Sequence, residues 1–268
     1  MNRALLVGIN KYSFAPLQGC VNDISDMANF LVSKSGFKME DIRLLADERA
    51  TKDAIIQRLH WLVKGLQNGD KVLFYFSGHG VQLPTRNAKG EVNGLDEAIC
   101  PIDFDWDDAH AIRAKEFSKL FSKIPKEVEF IWISDSCHSG NLWKSMPTPH
   151  HRLKTIVPNA DINWRLHTAR DKNIQPMSMI KAVQDTNVAL ITGCKLNQTS
   201  ADAEFNKRPN GVLTYFLLEE LKSKTGCRIS LSKIVKNVQT ALYAAGYTQV
   251  PQLEGSLKIK ASPFWTLN

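Results

Sequence analysis

Apolar residues along the chain follow two alternating patterns, short continuous runs and longer segments with helical spacing. The short runs are rich in valine, isoleucine and aromatic residues, which predicts strands over residues 4–8, 42–45, 72–76, 129–133, 188–192 and 257–261. The segments between them repeat apolar residues every three or four positions, which predicts amphipathic helices over residues 24–31, 55–66, 117–124, 213–221 and 231–242. This alternation indicates an α/β fold with a mainly parallel central sheet of about six strands and helices on both faces.

Polar residues at the ends of these segments support the boundaries. Thr51 and Ser230 precede predicted helices and are typical N-cap residues, and Gly246 is placed to end the last helix. Residues 141–186 do not fit the pattern, because they combine four prolines and scattered charge with weak periodicity. A gap of that length inside an α/β domain predicts an exposed loop or a processing linker.

Composition excludes several classes of protein. The 268 residues are 43% hydrophobic and 23% charged, which is typical of a globular chain and excludes wholesale disorder, collagen and coiled coil. The net charge of +7 is not concentrated in a Lys/Arg run, so we attribute it to solubility and do not expect nucleic-acid binding. Five cysteines without a CxxC pair indicate a reducing compartment. No apolar run approaches the roughly 18 residues that cross a bilayer, so we expect a cytoplasmic protein without membrane contact. We also expect a monomer rather than a dimer.

Two predicted strands end in residues that can carry chemistry. The strand at 72–76 runs into 77–80 (SGHG), and the strand at 129–133 runs into 134–140 (SDSCHSG). Ligands collect at the carboxyl ends of parallel strands, and these two strands could be neighbours, so that His79 and Cys137 would face one cleft. A thiolate beside an imidazole is the pair that cysteine nucleophilic catalysis requires.

Each of these two residues alone has a simpler interpretation. A single cysteine at a strand end is commonly a small buried hydrophobic residue, and a histidine in a glycine-rich turn is commonly structural. Their joint placement favours catalysis. His79 precedes Cys137 by 58 residues, near the separation of about 50 found in caspase-type proteases.

Residues 75–80 (YFSGHG) and 135–140 (DSCHSG) resemble the two signature motifs of metacaspases, the caspase-like cysteine peptidases. Three further segments resemble this family. Residues 5–12 and 17–23 resemble its first strand and the loop after it, residues 94–101 resemble its acidic segment, and residues 251–253 resemble the lead into its last strand. The resemblance covers nearly the whole chain and implies one caspase-like catalytic domain. Its parts would be large-subunit-like, linker and small-subunit-like, over residues 1–140, 141–186 and 187–268. The layout is most similar to the short forms called orthocaspases.

The resemblance also implies roles for individual residues. Cys137 would be the nucleophile and His79 the general acid and base, while the backbone amides of Cys137 and Gly80 would hold the oxyanion. The family's primary specificity pocket is acidic, which implies cleavage of protein substrates after Arg or Lys. The matching pocket positions are Cys20, Asp23, Ser77 and Asp135. From the residues alone, Asp23 could equally be a polar residue in the first turn of a helix, and Asp135 could orient the histidine or cap a turn.

An acidic stretch follows the histidine motif. Residues 103–107 begin like an EF-hand loop, but Asp108 and Ala114 stand where the glycine and the bidentate glutamate belong. Many metacaspases are activated by calcium and carry an acidic residue seven positions beyond the nucleophile, where this chain has Lys144. A solvated acidic loop and a weak or displaced calcium site both stay open. We expect no required cofactor and no metal site.

We therefore expect a cysteine endopeptidase that cleaves after Arg or Lys and processes itself within residues 141–186. That segment offers the basic residues Lys144, Arg152, Lys154, Arg165, Arg170, Lys172 and Lys181. The alternative is that the segment covers the cleft as a lid and is never cut. A competing class is a catalytically silent caspase-like module that acts as an interaction scaffold, and the intact His79, Cys137, Asp23 and Asp135 argue against it.

Overall fold

The computed structural model describes residues 1–87, 89, 91–137, 152–184, 186–195 and 198–265. Its strands are β1 (Asn2–Gly8), β2 (Ile42–Ala46), β3 (Lys71–Ser77), β4 (Gly80–Arg86), β5 (Val92–Ile99), β6 (Ile112–Arg113), β7 (Glu129–Asp135), β8 (Arg152–Leu153), β9 (Val188–Thr192), β10 (Ala201–Phe205), β11 (Arg208–Gly211) and β12 (Gln252–Glu254). Its helices are α1 (Cys20–Lys34), α2 (Lys52–Val63), α3 (Ala114–Phe121), α4 (Ala160–Asp171), α5 (Met179–Val183), α6 (Val212–Lys222), α7 (Leu231–Ala244) and α8 (Leu257–Ala261).

Six strands form the central sheet, in the order β12, β9, β7, β3, β1, β2. Neighbouring strands are parallel, except that β12 runs antiparallel to β9. The predicted α/β fold with a mainly parallel six-stranded sheet is confirmed. Two small sheets accompany it, one of β4, β5 and β6 and one of β8, β10 and β11, with antiparallel pairs in both.

Both faces of the central sheet are buried, because successive residues of a strand point to opposite sides. On β7, Phe130 and Trp132 belong to one hydrophobic core, and Ile131 and Ile133 belong to the other. Helices α2, α3 and α5 contribute to the first core, and α1, α6, α7 and α8 contribute to the second. This burial on both sides explains why the strands read as continuous apolar runs.

The prediction of a strand over residues 257–261 is wrong, because this segment is helix α8. Ser256 caps the helix by accepting a hydrogen bond from the Ile259 N–H at 3.3 Å. A strand would point Leu257 and Ile259 to the same face, whereas only Ile259 is buried and Leu257 is 87% exposed. The sixth strand is instead β12, in the segment that resembles the lead into the family's last strand.

The prediction of an exposed loop over residues 141–186 is wrong for the part that the structure describes, residues 152–184. This part forms β8, α4 and α5. Ile162 and Leu166 of α4 pack against Leu95 of β5, and Met179 of α5 belongs to the first core. The apolar period of α4 is weak because its outer face carries Trp164, which is 67% exposed. Residues 141–151 lie outside the described residues.

The predicted helix ends are confirmed. Thr51 accepts a hydrogen bond from the Ala54 N–H at 3.3 Å, and Ser230 accepts one from the Lys233 N–H at 3.2 Å. Gly246 follows α7 with a φ of +84°, a left-handed conformation that glycine adopts without strain. Within the described part of the chain, no helix has the length and apolar character that a membrane span needs.

Candidate active site

The two predicted motifs lie side by side at one end of the central sheet. Strands β3 and β7 are parallel neighbours, and Ser77 pairs with Asp135 at their carboxyl ends. The Gly78 N–H then donates to the Asp135 carbonyl oxygen at 3.4 Å. His79 and Cys137 therefore follow adjacent strand ends, as the sequence predicts.

The His79 ring is buried against the loop after β1. Its Nε2 lies 2.6 Å from the Ala15 carbonyl oxygen, and its centroid lies 4.6 Å from that of the Tyr12 ring. Because a carbonyl oxygen can only accept, Nε2 carries the proton in this contact. Burial lowers the pKa of His79 from 6.5 to about 4, so the ring is neutral. Nδ1 is then an acceptor, and it has no hydrogen-bond partner among the described side chains and backbone.

The Cys137 thiol is buried and held by the segment that follows β9. The Ser200 N–H donates to Cys137 Sγ at 3.0 Å, and the thiol donates to the Gln198 carbonyl oxygen at 3.0 Å. Cys137 Sγ also lies 3.3 Å from the Sγ of Cys194. These cysteines meet because each follows one of two parallel neighbours, β7 and β9. The sulfur is therefore a protonated thiol in this arrangement.

A segment of the chain itself lies across these two groups. Residues 152–153 form β8, which pairs antiparallel with β10. The next carbonyl oxygen, that of Lys154, accepts hydrogen bonds from the backbone N–H groups of Cys137 and Gly80, both at 3.2 Å. These are the two amides that the family resemblance assigns to the oxyanion. Both amides therefore bind a peptide carbonyl of the chain itself.

The Lys154 side chain continues into the predicted specificity pocket and has no exposed surface. Its ammonium nitrogen contacts a ring of oxygens, which are Ser77 Oγ at 2.8 Å, Asp135 Oδ2 at 3.1 Å, Asp202 Oδ1 at 3.3 Å and Asp23 Oδ2 at 3.4 Å. The pocket therefore holds a lysine, one of the two residue types predicted for the substrate.

Backbone donors hold two of these carboxylates in place. Asp23, in the first turn of α1, accepts from the Gly211 N–H at 2.9 Å. Asp202, on β10, accepts from the N–H groups of Gln18 and Gly19 at 2.9 and 2.8 Å. Backbone donors before α1 and at the end of β11 therefore fix these two carboxylates, and the side chains of Ser77 and Asn210 add hydrogen bonds to Asp23 at 2.8 and 3.0 Å.

Asp135 belongs to the pocket and does not orient the histidine. Its carboxylate accepts from Ser200 Oγ at 2.8 Å and from Thr214 Oγ1 at 2.7 Å, and it faces Lys154. The Ala15 carbonyl is the group that orients His79. These contacts place the Asp135 carboxylate beside Lys154 in the predicted pocket, whereas the residues alone suggested that it orients the histidine or caps a turn.

The charges in the pocket shift one another's proton affinities. The pKa of Asp23 is raised from 3.8 to about 7. Burial is the largest cause of this rise, Asp135 and Asp202 add to it, and the Lys154 ammonium opposes it. Burial alone would lower the pKa of Lys154, but Asp135 and the other anionic groups hold that pKa well above its ordinary value. The lysine is therefore charged in the pocket.

Cys20 is buried beside the acidic groups. The described residues include one group with the spacing of a metal site, formed by Cys20 Sγ and the carboxylates of Asp23 and Asp202, with ligand atoms within 4.8 Å of one another. The Lys154 ammonium contacts both of these carboxylates. Burial raises the pKa of Cys20 well above its ordinary value, so it is a neutral thiol.

The acidic stretch after the histidine is bonded within the protein. Arg113 forms ion pairs with Asp96, at 3.4 Å, and with Asp108. Lys115 lies 3.5 Å from Asp96. Asp107 accepts from the backbone N–H of Ala109 at 2.8 Å. Internal cations and a backbone donor therefore contact Asp96, Asp107 and Asp108 of this stretch.

Sequence reasoning missed two groups of this site and the function of a third. Asp202 lies on an antiparallel strand far along the chain, and no pattern connects it to the pocket. Ala15 acts through its carbonyl oxygen, which no residue type reveals. Lys154 is among the basic residues of the predicted linker, but its position in the pocket is seen only in the folded structure.

The caspase-domain family model matches residues 1–261, so the chain belongs to the caspase-domain family of cysteine peptidases. Metacaspase-1 of Meyerozyma guilliermondii is 31% identical over 95% of this chain and 69% of that protein. Metacaspase-1 of Kluyveromyces lactis is 30% identical over 96% of this chain and 66% of that protein. The resemblance to metacaspases is therefore confirmed. The chain spans about two thirds of the length of these relatives, and the assignment to orthocaspases stays a prediction.

The fold is shared with a solved structure as well. A crystal structure of a protein from Geobacter sulfurreducens superposes with a TM-score of 0.71 at 23% identity, over 100% of this chain and 99% of that chain. This similarity supports the fold. Membership of the caspase-domain family makes the protein a cysteine-type peptidase, a hydrolase that acts on protein substrates.

Proposed function

We propose that the protein is an endopeptidase that cleaves after lysine or arginine, with Cys137 as the nucleophile and His79 as the general base and acid. The observation that carries the proposal is Lys154, whose carbonyl oxygen meets the Cys137 and Gly80 amides while its ammonium meets three carboxylates. A substrate with a basic residue before the cleaved bond would make the same contacts. Buried carboxylates favour such side chains over neutral or acidic ones.

The proposed reaction has two halves. His79 Nδ1 takes the thiol proton, and the Cys137 sulfur attacks the carbonyl carbon, whose oxygen becomes an oxyanion stabilised by the Cys137 and Gly80 N–H groups. The C–N bond then breaks, and His79 gives its proton to the leaving amine. Water, deprotonated by His79, hydrolyses the thioester and restores the thiol.

The same contacts support Lys154–Thr155 as the bond at which the chain cuts itself. On its far side, Thr155 Oγ1 donates to the Gly80 carbonyl oxygen at 3.3 Å, and Ile156 is buried in the first core. The bond is therefore held on both sides. In the uncut chain the segment covers the cleft as a lid, and after the cut the pocket can accept other substrates. In this proposal, the same segment covers the cleft before the cut and is itself the place of the cut.

The cut replaces the predicted boundaries at 140 and 186 by a single one after Lys154. Residues 1–154 and 155–268 share the central sheet, because β7 pairs with β9 over residues 130–134 and 188–192. The two parts are therefore expected to stay associated after cleavage, like the large and small subunits of one domain.

Calcium is not required in this proposal. The support is that Arg113 and Lys115 already supply positive charge to Asp96 and Asp108 in the acidic stretch. A calcium chelator should leave the rate of peptide cleavage unchanged. A rate that falls on chelation and returns with added calcium contradicts this part of the proposal.

Self-processing is tested by following the wild type, Cys137→Ala and Lys154→Gln on denaturing gels, with N-terminal sequencing of new bands. The wild type should give fragments of about 17 and 13 kDa, the shares of the 30.1 kDa chain in residues 1–154 and 155–268, and the smaller should begin at Thr155. Both variants should stay intact, one for lack of the thiol and the other for lack of the cation. Lys181→Gln is the matched control, because Lys181 is an exposed lysine of the same segment, and it should be cut like the wild type.

Peptide cleavage tests the catalytic assignment. Cys137→Ala and His79→Ala should each lose at least roughly a thousandfold in rate, because groups that act as a unit fail singly. Retention of more than roughly a tenth of the wild-type rate by Cys137→Ala would refute the nucleophile. A wild-type enzyme that cleaves lysine peptides while its own chain stays intact would refute self-processing. A preference for aspartate at the cleaved position would refute the acidic pocket.

A further inference from the structure

The specificity pocket contacts its lysine at full length. The Lys154 ammonium reaches Ser77 Oγ at 2.8 Å and Asp135 Oδ2 at 3.1 Å, with no exposed surface on the side chain. A pocket built for a longer residue would hold lysine through a bridging water, whereas these contacts are direct. The depth of the pocket therefore equals the length of a lysine side chain.

Main chain closes the floor of the pocket at that depth. A Cβ placed on Gly211 would lie 2.4 Å from the Lys154 Nζ and 2.2 Å from Asp135 Oδ2, so the ammonium already lies against the Gly211 backbone. This backbone is fixed, because the Gly211 N–H donates to Asp23 and β11 leads directly into α6. The floor cannot deepen without moving the start of that helix.

The oxygens are also arranged for an ammonium. Ser77, Asp23, Asp135 and Asp202 contact a single nitrogen from different elements, and an ammonium offers three donors in a tetrahedral arrangement around one point. A guanidinium is a planar fork, which is matched by the two oxygens of one carboxylate in its own plane. Arginine also has one more bond between Cα and its terminal nitrogens, so these nitrogens would extend beyond the floor.

We infer that this pocket selects lysine over arginine before the cleaved bond, with Gly211 setting its depth and Asp202 completing the ring of charges. The inference deepens the proposed function and rests on it. Arginine has to bind with its head displaced or with the floor moved, and either change costs contacts that lysine makes without adjustment. The expected result is a kcat/KM at least tenfold higher for lysine than for arginine.

Two matched reporter peptides test the inference, one copying Arg-Leu-Lys from residues 152–154 and the other with arginine in place of the lysine. Processed wild-type enzyme should cleave the lysine peptide with a kcat/KM at least tenfold higher. In the chain itself, Lys154→Arg should slow self-processing at least tenfold, while Lys181→Arg, a conservative change in the same segment, should leave it at the wild-type rate.

The outcomes separate this inference from the proposed function. Equal cleavage of both peptides, or faster cleavage of the arginine peptide, overturns lysine selectivity and leaves a peptidase with general basic specificity. Cleavage of neither peptide by folded enzyme refutes the proposed function and the inference with it. Self-processing of Lys154→Arg at the wild-type rate also overturns the inference, because the same pocket then accepts arginine without loss.

Discussion

Glu97 is a buried carboxylate outside the specificity pocket, and its replacement by glutamine tests how stability depends on pH. Only 1% of Glu97 is exposed. Its Oε2 accepts from the Met179 N–H at the start of α5 at 2.7 Å, and its Oε1 has no partner within the described structure. Burial raises the pKa of Glu97 from 4.5 to about 7, although the Met179 hydrogen bond and Lys181 lower it. Glutamine keeps an acceptor for Met179 and cannot ionise.

The direction and size of the effect follow from this pKa. Below pH 4.5 the carboxyl is protonated in both the folded and the unfolded chain, and its full contribution to stability is present. Between pH 4.5 and about 7 the unfolded chain loses the proton while the folded chain keeps it, so rising pH favours unfolding. At about 1.4 kcal/mol per pH unit, the loss is on the order of 3 kcal/mol. Above that range both states are ionised and the loss is complete.

Chemical denaturation from pH 4.5 to 8, in a Cys137→Ala background that removes the proposed self-cleavage, measures this effect. The free energy of unfolding of the Glu97 protein minus that of Glu97→Gln should fall by about 3 kcal/mol across the range. The difference between the two proteins removes the other titrating groups that they share, Asp23 among them. A difference that stays constant from pH 4.5 to 8 would refute the assignment of a raised pKa to Glu97.

Three other changes have expected outcomes. Trp132→Ala removes a fully buried ring that packs 4.5 Å from the Phe117 ring between centroids, and chemical denaturation should show a loss of about 3–5 kcal/mol. Thr51→Ala removes the side-chain acceptor of the Ala54 N–H and should cost about 1 kcal/mol in the same assay. Asp202→Asn keeps an oxygen for the backbone donors but removes one charge, and it should lower kcat/KM for a lysine peptide roughly tenfold to a hundredfold. An unchanged free energy of unfolding for Trp132→Ala or Thr51→Ala would show that the removed contact does not stabilise the fold, and an unchanged kcat/KM for Asp202→Asn would show that its charge does not contribute to cleavage.

The central sheet could be predicted from the sequence because both of its faces are buried. Continuous apolar runs, such as residues 72–76 and 130–133, have no exposed alternate positions that would interrupt the pattern. Residues 257–261 gave the wrong element because a run of five with apolar residues at alternate positions fits a strand or a single helical turn equally. The Ser256 cap and the exposed Leu257 distinguish them only in the folded protein.

The part of the candidate site that could be predicted from the sequence consists of the polar residues at the carboxyl ends of strands. Asp135 is the last residue of β7, and His79 and Cys137 lie two residues beyond the ends of β3 and β7, so local order along the chain fixes their positions. Asp202 and Lys154 enter from the small antiparallel sheet of β8, β10 and β11. Long-range pairing of short strands leaves only a weak pattern in the sequence. The sequence therefore predicted the residues at the ends of β3 and β7, but it did not predict that Asp202 and Lys154 join them.

The Lys154 contacts connect the stability of the uncut chain with the chemistry of the pocket. Three buried carboxylates repel one another, and the pKa of Asp23, raised to about 7, reflects this repulsion together with burial. In the uncut chain, the Lys154 ammonium offsets the repulsion. In the proposed reaction this cation leaves, and the pocket loses the positive charge that lowers the pKa of Asp23. A basic side chain of a substrate that enters the pocket restores this charge, so the proposed self-cleavage leaves a pocket that favours the same kind of residue that it releases.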